Sequence, residues 1–134
     1  MGPTRILAAA CAALALAGPA AAELPPLEEV EVINEGLIAA GIAHEIGDEC
    51  PSIRTRLLRG VNFLQGLRDY ARDLGYSRDQ IKAFENNSAH KSALIDIAYA
   101  RMEARGLDRD DPESWCRIGR EEMAAGTQVG QLLR

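Results

Sequence analysis

The sequence predicts an all-α fold, a small bundle of about five helices with a disulfide between Cys50 and Cys116. Three observations lead there. Apolar residues recur at three- and four-residue spacing along most of the chain, and no stretch alternates apolar and polar residues as a half-buried strand would. Capping residues and glycines punctuate that pattern at helix-length intervals. Of the three cysteines, Cys11 falls in a segment that reads as a cleavable export signal, which leaves an even pair in an oxidising compartment.

Residues 1–22 carry the three parts of a signal peptide. Arg5 supplies the positive start, Ile6 to Ala17 is an apolar run broken by Gly18-Pro19, and Ala20-Ala21-Ala22 offers small residues before a cut ahead of Glu23. The run is too short to cross ~30 Å of hydrocarbon unaided, so no stable membrane span is expected after cleavage. Residues 23–134 then form a single helical domain of a size that supports a modest core. The whole chain has a formal net charge of −5, and losing Arg5 makes the mature part more negative. That balance argues against nucleic acid or an anionic membrane surface as partner, because both call for a concentrated basic patch. On a helical wheel Arg54, Arg56, Arg59 and Arg68 point in at least three directions and read as a solvated rim.

The elements follow in order. Pro25-Pro26 makes an extended lead-in. A first helix is expected from Glu28 to Gly47, with Val30, Ile33, Leu37, Ala40 and His44 on one side. Gly36, Gly41 and Gly47 each disfavour it by about 1 kcal/mol relative to alanine, so tertiary contact must hold it together or it breaks at a glycine. A second helix is expected from an N-cap at Ser52 to Leu74, burying Ile53, Leu57, Val61, Leu64, Leu67, Ala71 and Leu74 as one stripe. Gly75 stops it. Tyr76, Ser77, Gln80 and Ile81 then match a capping box with a hydrophobic staple, which opens a short third helix to Asn86. Asn86 and Asn87 read as a break, Ser88 as the cap of a fourth helix to Arg105. One bent helix over residues 78–105 is the other reading. Asp111 as N-cap and Pro112 at the first helical position start a fifth helix, closed by Gly126. Thr127 caps a last turn, and Val129, Leu132 and Leu133 are expected to dock.

Reactive constellations are sparse. His44, Glu45 and Asp48 share a helix turn and resemble a zinc-hydrolase motif whose second histidine has become aspartate, but such a site needs three protein ligands and His90 is the only other histidine. Asp108, Asp110, Asp111 and Glu113 suggest a calcium loop, yet Glu113 stands where that loop needs glycine and Gly119 where it needs a carboxylate. Helix capping explains these acids better. Trp115 reads as core. No catalytic residue is assigned and no cofactor is expected.

Leu24-Pro25-Pro26-Leu27, Cys50-Pro51-Ser52, Leu74-Gly75-Tyr76-Ser77, Trp115-Cys116 and Gly126-Thr127 followed by Leu132-Leu133 together resemble a family of small exported alphaproteobacterial proteins of unknown function. The resemblance spans nearly all of the mature chain. It implies a bacterial, periplasmic setting and a helical fold with paired cysteines, and it carries no activity. The function expected from the residues is therefore non-enzymatic binding of a protein or a small apolar ligand. A metal-dependent hydrolase built on His44, Glu45 and Asp48 is one alternative. An immunity or inhibitor protein against a secreted effector is another.

Overall fold

The computed structural model describes residues 23–134, so the expected signal segment lies outside the described residues. The other helices are arranged around α1, Glu31–Glu49. Ile33, Ile38, Ile42, Ala43 and Ile46 are buried along it, and α2 (Leu57–Asp73), α4 (Ser88–Glu103), α5 (Pro112–Ala125) and the short α6 (Gln128–Gln131) all pack against it. Between α2 and α4 lies α3, Arg78–Glu85. Helices account for all the regular structure of the described residues, apart from one isolated bridge between Thr55 and Leu133.

The first helix starts later than its apolar pattern suggests. Leu27–Glu29 forms a 3-10 turn instead, and the Asn34 amide donates to the backbone carbonyls of Leu27, Glu28 and Val30 at 3.2, 2.9 and 3.0 Å. Carbonyls held from outside are not free to continue a helix backwards. Past that point α1 runs unbroken through its glycines. Two of them have packing reasons. A Cβ at Gly36 would stand 2.8 Å from Leu67 Cδ2, and one at Gly47 would stand 2.9 Å from Thr55 Oγ1. Close approach of α2 and of the 53–56 segment thus offsets the poor helix propensity of both positions.

One core fills the space between α1, α4, α5 and α6, with Ile46, Cys50, Ile53, Met102, Trp115, Ile118 and Leu133 almost wholly buried. Each such side chain contributes about 1.5–3 kcal/mol relative to exposure. The Trp115 indole N–H donates to the Arg109 carbonyl at 3.2 Å, so its polar edge is satisfied inside the core. The Cys50–Cys116 disulfide joins the end of α1 to α5 across a Cα–Cα distance of 5.0 Å. Glu122, a buried acid on α5, is paired with Arg105 and accepts from the Thr127 hydroxyl. A second, smaller cluster of Leu27, Ile33, Ala71, Tyr76 and Ile81 ties the lead-in to α2 and α3.

The second helix departs most from expectation. Ser52 is not its N-cap, because residues 53–56 run extended beside the C-terminal segment. Arg54 and Arg134 exchange both backbone hydrogen bonds at 2.9 Å, and the Arg56 N–H donates to the Leu132 carbonyl at 2.8 Å. Ile53 is buried by this pairing, but the stripe that follows it is not. Leu57, Val61, Leu64 and Leu74 are exposed, and Ala71 is the only fully buried residue of α2. α2 packs on α1 and α3, and Leu64 borders an open flank toward α4, while Leu57 and Val61 project from the first turns of the helix.

The break between the third and fourth helices is real and is capped by Asn87 rather than Ser88. The Asn87 side chain accepts from the His90 N–H at 3.0 Å. At the start of α3, Ser77 Oγ accepts from the Gln80 N–H at 3.2 Å, and Gln80 Oε1 accepts from the Ser77 N–H at 2.8 Å. Tyr76 and Ile81 flank this box and are both buried. Replacing Ser77 by alanine removes one partner and is expected to cost about 1 kcal/mol. Urea unfolding of the variant measures it, and an unchanged midpoint would show that water substitutes for the cap.

Candidate functional site

The gap between α2 and α4 forms a trough of about 440 Å³. Ile33, Leu37, Ile38 and Gly41 of α1 make its floor, Leu64, Leu67 and Ala71 of α2 one wall, and Leu94, Ile95 and Ala98 of α4 the other. Ile81 and Phe84 of α3 close one end. The volume falls in the range of small-molecule pockets, and the lining is apolar with a few polar groups around it, as such pockets usually are.

Each wall has a local cause. Leu64, Leu67 and Ala71 lie three and four residues apart and so share one face of α2. That face was expected to be core and is instead half open to the trough. Gly41 is the glycine of α1 without a packing reason, since a Cβ there would meet no atom within 4 Å. It leaves the floor bare backbone, where a bound molecule could approach closely.

Polar groups sit at the margins. Tyr99 donates its hydroxyl to Glu45 Oε2 at 2.6 Å, and that bond, followed by burial, holds the phenol above its ordinary pKa. The Arg109 guanidinium lies 3.7 Å over the Tyr99 ring, and Trp115 meets the ring edge-on. This locks the tyrosine in place. At the α3 end Arg68 pairs with Glu85, and His90 Nε2 lies 2.7 Å from Asn34 Oδ1. Each of these groups has a partner within the chain. Elsewhere on α1, Arg101 grips Glu35 with two 2.7 Å bonds and holds that carboxyl below its ordinary pKa.

The structure separates the residues that suggested a metal. His44 Nε2 and Asp48 Oδ2 lie 3.4 Å apart with both side chains largely exposed, while Glu45 turns away to Tyr99. No three metal-ligating side chains are grouped to hold an ion among the described residues. The acids near residue 110 serve the backbone. Asp108 Oδ1 accepts from the Asp110 N–H and Asp111 Oδ1 from the Glu113 N–H, each at 3.0 Å, and Glu113 pairs with Arg120. No helix of the described residues is long and apolar enough to cross a membrane.

Sequence reasoning did not find the trough. Its residues carry ordinary core signals, and only the position of α2 relative to α4 reveals that they line a space. A model of a protein family described as a family of unknown function (DUF5333) matches residues 25–134. No curated protein and no solved structure matches the chain.

Proposed function

The chain belongs to the DUF5333 family, which brings no activity with it, and we propose that it is a non-enzymatic periplasmic protein that holds a small apolar ligand between α2 and α4. One observation carries this reading, the apolar trough of about 440 Å³ in which Leu64, Leu67 and Ile95 border the space beside the buried Ala71, Leu94 and Ala98. Covering them with a ligand recovers roughly 25 cal/mol per Å² of apolar surface removed from water. Export to the periplasm rests on the three-part pattern of residues 1–22. The hydrolase alternative has only the His44 and Asp48 pair behind it, and stoichiometric zinc in untagged protein would favour it instead.

A neutral, polarity-sensitive dye such as N-phenyl-1-naphthylamine tests the reading. The protein is expected to bind it saturably. Gly41→Leu projects a side chain into open space in the trough and replaces a poor helix former with a good one. This variant is expected to bind the dye about tenfold more weakly, the loss of roughly 1.4 kcal/mol of contact, without melting earlier. Equal binding by both proteins, or none by either, would remove the trough from consideration.

A further inference from the structure

The extended pairing of residues 53–56 has a consequence for charge that the helical wheel hides. Side chains alternate along an extended segment, so Ile53 is buried and Thr55 half-buried against the body, while Arg54 and Arg56 face solvent together. The bridge brings Arg134 beside Arg54. Arg56 and Arg59 reach over the C-terminal segment to the carbonyls of Leu133 and Gln131, at 2.9 and 3.2 Å. Four guanidinium-bearing residues thus gather at one end of an acidic molecule, correcting the expectation of a scattered rim.

Two further observations distinguish this end. From residue 68 to residue 120 every arginine except Arg78 pairs with a carboxylate, whereas Arg54, Arg56, Arg59 and Arg134 pair with none among the described residues. The same end carries Leu57 and Leu58, 78 % and 75 % exposed, the two most exposed large apolar residues of the described chain, with Val61 one turn further on. None of these three lines the trough. They project from the first turns of α2.

We propose that this end, Arg54 to Val61 with Arg134, is a docking face for an anionic lipid surface. Guanidinium groups meet lipid phosphates while Leu57, Leu58 and Val61 enter the boundary between headgroups and acyl chains, the arrangement of an interfacial helix. A polyanion such as nucleic acid satisfies the arginines alone and leaves the leucines in water. A lipid surface satisfies both. The face is separate from the trough, so its failure would leave the ligand reading untouched.

Flotation with vesicles tests it, using soluble protein at low ionic strength. Vesicles containing phosphatidylglycerol are expected to carry the protein and pure phosphatidylcholine vesicles are not, with binding lost at about 0.5 M salt, where the Debye length falls to a few ångströms. Arg54→Gln removes a guanidinium that makes no side-chain bond and is expected to weaken binding about fivefold. Leu57→Ser combined with Leu58→Ser is expected to weaken it tenfold or more. Both changes fall on exposed side chains, and unchanged thermal melting confirms that the fold persists. No enrichment on phosphatidylglycerol vesicles would overturn the proposal. Binding that survives the double serine change would also overturn it, because attachment would then be Coulombic alone or made elsewhere in the chain.

Discussion

Replacing Cys50 and Cys116 together by alanine is expected to lower the free energy of unfolding by about 4 kcal/mol. The bridge closes a loop with a sequence separation of 66, and in the chain-entropy account a cross-link of that span removes many conformations from the unfolded chain. It acts where the fold needs it. Cys50 ends α1 and Cys116 lies in α5, and both are buried in the main core. Since a domain of this size is held by only about 5–15 kcal/mol in all, the variant stands near the limit of folding at physiological temperature. Urea denaturation with and without reductant measures the effect. A difference below about 1 kcal/mol would mean that the unfolded chain is already restricted by residual structure.

Gly130→Ala is expected to cost about 3 kcal/mol or more, although it adds only one methyl group. A Cβ at that position would sit 2.0 Å from the Glu122 carbonyl oxygen and 2.7 Å from the Met123 nitrogen. These are backbone atoms of α5, and a helix cannot move aside as a flexible side chain can. The clash therefore pushes α6 off α5. Val129, Leu132 and Leu133 are buried by that contact, and the bridge to Thr55 depends on the same docking. Overpacking in a tight core commonly costs about 1–3 kcal/mol, and the undocked leucines add to it. Gly60→Ala is the control, since no atom lies within 4 Å of its absent Cβ. There the change is expected to stabilise by up to about 1 kcal/mol. Thermal melting of the two variants checks both signs.

The two glycines show how far the sequence can be read. Each stands in a helical segment, and nothing in the flanking residues says that one touches a backbone and the other touches nothing. Gly126 is different. It closes α5 in the left-handed conformation, at φ 63°, and its place after a run of helix formers announces that role. Asp111 and Pro112 at the start of α5 are legible for the same reason, since the partners of a cap lie two or three residues away. The Ser88 assignment failed within this rule. Asn87, one position earlier, offers a carbonyl oxygen that reaches the His90 N–H, and two adjacent capping residues look alike until the backbone turns.

The stripe from Ile53 to Leu74 failed for a different reason. Its spacing correctly marks an amphipathic helix from Leu57 onward, but periodicity tells only that one face is apolar. What covers that face depends on where α4 and the C-terminal segment lie. Residues 53–56 were drawn out of the helix by a strand-like partner nearly eighty positions away, and Leu64 and Leu67 were left beside a space instead of a neighbour. Both the trough and the arginine cluster arise from these long-range placements. Neither could be found by spacing.

By itself, then, the sequence determined the helical class, the paired cysteines and those helix ends whose hydrogen bonds close within a few residues, because caps, glycines and apolar periods act over a single turn. Only the tertiary structure decided which apolar faces became core, which glycines are indispensable, and where four arginines and two leucines meet. Those outcomes depend on contacts between segments far apart in the chain, and such contacts are set by the packing of whole helices rather than by the preferences of their residues.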